Sequence, residues 1–293
     1  MENKKYVVGI GEALWDMLPE GKKLGGAPAN FAYHVSQLGL NGLVISAVGE
    51  DELGREIIQD FKSKGLNYRC YTVDQPTGTV QVTIDHQGIP CYNIMENVAW
   101  DNIPVAEDLL ELARNTCAVC FGTLAQRQSL SRSTINAFLD AMPQAEGIYK
   151  IFDINLRQSF YTKEIIQYSL QVSNVLKIND EEFSTLSTML NYVETDVEKV
   201  SRRLMQEYGL ELLILTCGTN GSYVFSPEST SFIETPKVEV ADTVGAGDAF
   251  TAAFIASLLK GKNIRESHQL AVDIAAYVCT QKGAMPRYLY KND

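Results

Sequence analysis

Short, mostly apolar runs without period-two alternation are interleaved with helical patterns along most of this sequence, and that rhythm constrains the fold more than any other feature. The runs cover 6–11, 43–48, 118–121, 151–154, 175–178 and 212–215. A strand with one wet face alternates apolar and polar residues, whereas a strand covered on both faces stays apolar throughout. Between the runs, residues 29–38 place Phe31, Val35 and Leu38 on one helical face, and 196–208 and 265–280 read similarly. The pattern predicts an α/β domain spanning residues 1–293, built on a mostly parallel central sheet.

One stretch departs from the rhythm. Between about 71 and 94, Val80, Val82 and Ile84 alternate with Gln81 and Thr83, and Gly78, Gly88 and Pro90 punctuate the segment. This predicts antiparallel strands with one solvated face, joined by 13–24, which is also poor in helix signals. A small sheet inserted in an α/β domain suits a lid over a site. A surface hairpin, or a sheet edge used to form a homodimer, fits the same pattern.

Charge narrows the partners. Lys and Arg total 25 against 36 Asp and Glu, a net charge of −11. Such a field repels nucleic acid and anionic membranes, but leaves room for a phosphate site built from backbone amides. No run approaches the ~18 apolar residues of a membrane span, and the first ten residues read as a strand rather than a signal peptide. The expected location is cytoplasmic. Six cysteines are scattered, and the pair Cys117 and Cys120 lies on an expected strand, not at a helix start where a redox motif belongs.

In open α/β sheets, ligands bind beyond the carboxyl ends of the strands. Small and polar residues follow each run: Glu12 and Asp16, then Gly49 to Asp51, Gly122, Asp153 to Arg157, Asn179 with Glu182, and Thr216 with Gly218 and Gly221. The sharpest segment is Asp242-Thr243-Val244-Gly245-Ala246-Gly247-Asp248, ahead of a helix with Phe250, Phe254 and Leu258 on its buried face. Gly245, Ala246 and Gly247 put no bulk between backbone and ligand, and free amides at a helix start attract an anion. Asp248 in the first turn can take a proton from a hydroxyl attacking a phosphoryl group. The plainer alternative is a glycine turn with an acidic cap.

A second segment, Gly25-Gly26-Ala27-Pro28-Ala29-Asn30, also opens a helix. Paired glycines give a small ligand access to backbone, and Asn30 both donates to and accepts from hydroxyls. Asp16, expected in a loop or at a strand end, offers a carboxylate to a vicinal diol. A solvated surface acid is the alternative for it.

These two segments, in this order and more than two hundred residues apart, resemble the signatures of the ribokinase-like (PfkB) carbohydrate kinases. The similarity runs from Gly11 to about Ala284. Within that family, Gly11 to Leu14, Asp16, Pro19-Glu20-Gly21, Gly25 to Asn30, 96–100 and 122–127 look most like bacterial fructokinases. The resemblance implies the ribokinase-like three-layer α/β fold with a small β-sheet lid, and transfer of phosphate from ATP to a sugar hydroxyl. Fructose is the expected sugar. Ribokinase, 2-keto-3-deoxygluconate kinase and a non-catalytic sugar sensor are the alternatives.

The resemblance also implies roles. Asp248 is the expected base, and Gly245, Ala246 and Gly247 the anion hole. Asp16, Gly26 and Asn30 hold sugar hydroxyls. Arg157, in Asp153-x-Asn155-x-Arg157, points a cation at substrate or phosphate, with a surface ion pair as its alternative. Asn179 and Glu182 match an Asn-x-x-Glu that organises Mg²⁺, phosphate and water. Thr216, Gly218 and Gly221 match a nucleotide loop. Asp242, with the 282–284 backbone, is the expected site of a monovalent cation such as K⁺. One departure is Val272-Asp273, where relatives carry an Asn at the adenine pocket. His34, His86 and His268 are not expected to be catalytic.

Overall fold

The computed structural model describes residues 5–19, 21–84 and 90–288. The chain opens with β1 (Tyr6–Ile10), the hairpin β2 (Leu14–Leu18) and β3 (Gly21–Gly25), α1 (Ala27–Gln37), β4 (Asn41–Gly49), α2 (Glu52–Ser63) and β5 (Asn67–Val73). A second pair follows, β6 (Gly78–Ile84) and β7 (Pro90–Ile94). Alternation then resumes with α3 (Glu107–Arg114), β8 (Thr116–Phe121), α4 (Ser129–Ala141), β9 (Tyr149–Asp153), α5 (Lys163–Val172) and β10 (Val175–Asn179). It continues through α6 (Asp180–Met189), α7 (Val197–Tyr208), β11 (Leu212–Thr216), the hairpin β12 (Ser222–Phe225) and β13 (Thr230–Ile233), α8 (Ala246–Leu259) and α9 (Ile264–Cys279).

All six apolar runs become strands of one nine-stranded sheet, ordered β13-β12-β11-β10-β9-β8-β1-β4-β5. It is parallel from β11 to β5, and only the β12–β13 edge is antiparallel. Residues from α3 to α7 cover one face, with Leu109, Ile135, Ile166, Leu186 and Val200 packed on Val8, Val119, Phe152 and Leu176. On the other face, Phe31 and Val35 of α1 join Phe250 and Phe254 of α8 and Ala271 of α9 over Val7, Ala118, Ile151 and Ile214. Three layers result, as the unbroken apolar strands require.

Two expectations need correction. Helix α8 does not bury one face only. Residues 249–257 are all buried, because the helix lies against the sheet with α1 and α9 on its flanks. Residues 71–73 belong to β5 at the edge of the large sheet, paired with β4, and not to the inserted segment.

The insertion itself is a separate four-stranded sheet, ordered β3-β2-β6-β7. β2 pairs antiparallel with β3 and parallel with β6, so 13–24 does join the second pair. Leu14, Val80 and Ile94 root this sheet in the main core, and Trp15 Nε1 donates to Leu53 O at 3.0 Å. Its outer margin, β3, is exposed from Gly21 to Lys23. Glu20 and residues 85–89, including His86 and Gly88, lie outside the described residues.

Candidate active site

Helix α8 begins without a side-chain cap, at Gly245 with φ +78°. Ala246 N–H donates back to Thr243 O at 3.3 Å, and the Ala249 N–H starts the helical ladder on Gly245 O at 2.8 Å. Between them, the amides of Gly247 and Asp248 have no backbone acceptor among the described residues, which is the arrangement that binds an anion. The two glycines do different work. A Cβ at Gly245 would come within 2.7 Å of Ala284 Cβ, so glycine is needed there for the positive φ and the close packing, not for ligand access. A Cβ at Gly247 would meet only Lys177 Nζ, at 4.0 Å, so here the missing side chain does leave open space.

Asn30 on α1 donates from Nδ2 to Asp248 Oδ2 at 2.7 Å. The two signature segments therefore touch, 218 residues apart. Burial pushes the Asp248 carboxyl up to about 7, helped by the nearby Asp153 charge. The Asn30 hydrogen bond, Lys177 and Arg157 pull the other way. A carboxylate poised near neutrality suits a general base. Asn30 Oδ1 is buried and has no partner among the described residues, which leaves an acceptor beside that base.

Gly26 caps α1 at φ +113°, and a Cβ there would lie 2.3 Å from Glu12 O. The glycine answers a backbone crossing. A Cβ at Gly25 would lie 2.6 Å from Asp16 Oδ2. Asp16 thus reaches the mouth of α1. It sits in the middle of β2, not in a loop or at a strand end, and faces Lys23 across the hairpin. Burial pushes its carboxyl up to about 6, against the pull of Lys23.

The strand ends of β9, β10 and β11 form the rest of the floor. Asp153 accepts from Thr251 Oγ1 at 3.4 Å. Glu182 is buried, and its two oxygens accept from Asn179 N–H and Leu156 N–H, both at 3.0 Å. Asn179 returns the contact by accepting from Glu182 N–H at 2.8 Å, which closes a capping box at the start of α6. Thr216 is the register partner of Asn179 across β10 and β11. Thr235 Oγ1 donates to Gly218 O at 2.6 Å and accepts from Gly221 N–H at 3.1 Å, bracing the turn between those glycines. Arg157 is exposed and donates to Leu156 O at 3.0 Å, while its charge is felt at Glu12 and Asp248.

Asp242 accepts from Val244 N–H and Gly283 N–H, each at 3.1 Å, and Lys23 Nζ stands 3.7 Å from its Oδ2. Burial alone raises this carboxyl, but the two amides and Lys23 outweigh it and hold the carboxyl below its ordinary value. His34 and His268 are buried, and burial lowers each to about 4. His34 bonds Ala284 O and Tyr288 Oη, and His268 bonds Ser222 and Ser231, which accounts for both rings structurally. Cys117 and Cys120 are free thiols on β8, as their strand position implied.

Two buried charges escaped the sequence reading as site residues. Glu12 is 2% exposed, with Oε2 lacking a partner among the described residues, in a small cavity it shares with Pro28, Gly122, Asp153 and Asn155. Burial raises its carboxyl. Lys177 is 4% exposed on β10. Its signal was in plain view: a lysine inside a run otherwise apolar enough to be covered on both faces.

A family model described as pfkB family carbohydrate kinase matches residues 20–289. Over 304 residues the chain is 33% identical to a fructokinase of Salmonella typhimurium, covering 97% of this chain and 96% of that protein. It is 31% identical to a fructokinase of Klebsiella pneumoniae, covering 100% and 98% respectively. The structure superimposes on that of the Xylella fastidiosa fructokinase with bound ATP at a TM-score of 0.83, with 22% identity and coverage of 96% and 94%.

Proposed function

Because this chain belongs to the pfkB family of carbohydrate kinases, and is a sugar kinase of that family, we propose that it transfers the γ-phosphoryl group of ATP to a hydroxyl of D-fructose. The observation that carries the chemistry is the Asn30–Asp248 hydrogen bond at the open start of α8. It joins a group that can hold a sugar hydroxyl to a carboxylate that can deprotonate it. The full-length likeness to two fructokinases at 31–33% identity supports fructose as the sugar.

In the proposed reaction, Asp248 takes the hydroxyl proton as the sugar oxygen attacks the γ-phosphorus. The new O–P bond forms as the bond to the departing ADP oxygen breaks. The amides of Gly247 and Asp248, at the positive end of α8, stabilise charge on the transferred group. Asp16 and Asn30 hold neighbouring sugar hydroxyls by hydrogen bonds. Arg157 approaches substrate or phosphate from the exposed side. Thr216, Gly218 and Gly221 cradle the nucleotide.

Among the described residues, no cluster of three or more His, Cys, Asp or Glu could hold a metal by itself. Mg²⁺ is ordinarily carried by the substrate's phosphates with few protein ligands. Asn179 and Glu182 would face it, and it would neutralise phosphate charge. Glu182's oxygens are already engaged by two amides, so its contact would run through water or phosphate. For K⁺, the candidate is Asp242, which accepts from Gly283 N–H and has Lys23 beside it. The small sheet closing over bound sugar, and pairing of two copies through it, belong to the same proposal.

A panel of sugars and sugar acids with MgATP, followed by ADP release, tests the reading. Turnover should be fastest with fructose. Turnover only with sugar acids, or only with a phosphorylated sugar, would replace the substrate assignment.

A further inference from the structure

The ammonium of Lys177 comes from the middle of the sheet. On β10 it is the register partner of Asp153 on β9 and of Ile214 on β11, so Asp153 and Lys177 stand side by side. Above them, Thr251 of α8 donates to Asp153 and to Gly247 O, at 3.4 and 3.0 Å. Lys177 Nζ lies 4.0 Å from the side-chain position of Gly247, the residue preceding Asp248. A 4% exposed lysine is rare unless its charge is answered, and this one faces a ring of acids: Asp153, Glu182 and Asp248.

We propose that Lys177 is a positioning residue for phosphoryl transfer: its buried ammonium, set beneath the first turn of α8, keeps the Asp248 carboxylate ionised and ready to accept the sugar's proton. The groups facing Asp248 are Asp153 on β9, Asn30 on α1, Lys177 on β10 and Arg157 after β9, with Cys120 on β8 within reach of the same charges. Glu12 and Glu182 complete the surrounding acids. Asp153 and burial favour a protonated Asp248, and Lys177 is the sheet-borne charge that opposes them. A cation so placed needs no contact with substrate. It acts on the base through its charge, from 4.0 Å off the Gly247 side-chain position.

The inference rests on the kinase reading, and its test separates the two. The pH dependence of kcat/KM for the sugar should show an acidic limb reporting the base in the free enzyme. In Lys177→Met and Lys177→Gln, that limb should move up by one pH unit or more, so that activity lost at pH 6.5 largely returns at pH 8.5. Lys177→Arg, which keeps the charge, should hold the limb near its original place. Asp153→Asn, which removes the opposing charge, should move it down. An active wild type with an unmoved limb in both neutral variants overturns the inference and leaves the kinase reading intact. So does failure of both neutral variants to fold while Lys177→Arg folds, since the ammonium then serves only the sheet. An inactive wild type overturns the kinase reading itself.

Discussion

The start of α8 and the small four-stranded sheet both offer a carboxylate raised by burial, Asp248 at about 7 and Asp16 at about 6. They are built in opposite ways. Asp248 opens a helix whose residues 249–257 are buried on every side, and it is held by a side chain from α1. Asp16 sits on a sheet rooted by Leu14, Trp15, Val80 and Ile94, whose outer strand β3 is open to solvent. Under the proposed function, the base belongs on the buried element, and a group that only meets the sugar can ride on the sheet with an exposed edge.

The contrast breaks first, and hardest, at Asp248. Asp248→Asn keeps the size and removes the base, and kcat should fall by about 10²–10⁴ with sugar and ATP binding retained. Near-normal turnover by the folded variant would remove Asp248 from the mechanism. The same variant should be more stable than wild type where the base is ionised. A carboxyl whose folded pKa is raised from 3.8 to about 7 gives its full contribution to stability below pH 3.8 and loses it as pH rises through 7. Asn cannot ionise, so urea unfolding at pH 8 should favour Asp248→Asn by on the order of 2–4 kcal/mol, with the gap closing at pH 4. A gap that does not change with pH would mean that Asp248 is not strained by its surroundings.

Asp16 should behave differently. Asp16→Ala should raise KM for the sugar by roughly 5–100-fold, the loss of a charged hydrogen bond or two, while KM for ATP changes little. A rise confined to ATP would move Asp16 out of the sugar site. The smallest effect is expected in dynamics. Saturating sugar should slow amide exchange in β2, β3 and β6 more than in α8, and equal protection of both would erase the distinction between rigid floor and adjustable cover.

Much of this was legible because burial leaves a strong imprint on sequence. Mostly apolar, non-alternating runs located β1, β4 and β8 to β11 within a few residues. The two glycine-rich segments marked both helix starts. What stayed hidden was long-range. Nothing local says that Gly245 is forced by Ala284 and Gly26 by Glu12 O, because each neighbour arrives from elsewhere in the chain. Residues 71–73 read as part of the insertion because an edge strand is half wet and alternates like one. Lys177 was absorbed into an apolar run, although the argument that made the run a strand covered on both faces also made its lysine an anomaly.

The hydrogen bond between Asn30 and Asp248 also has a history in time. During synthesis on a ribosome, Asn30 is made 218 residues before its partner. At about 5–20 residues per second, that interval lasts on the order of 10–40 s. Throughout it, the face of α1 carrying Phe31 and Val35 has no α8 to cover it, although β1 and β4 can already pair beneath. The nascent chain therefore carries an uncovered apolar stripe through most of translation. Catalytic competence comes with the closing of that stripe, near the end of synthesis.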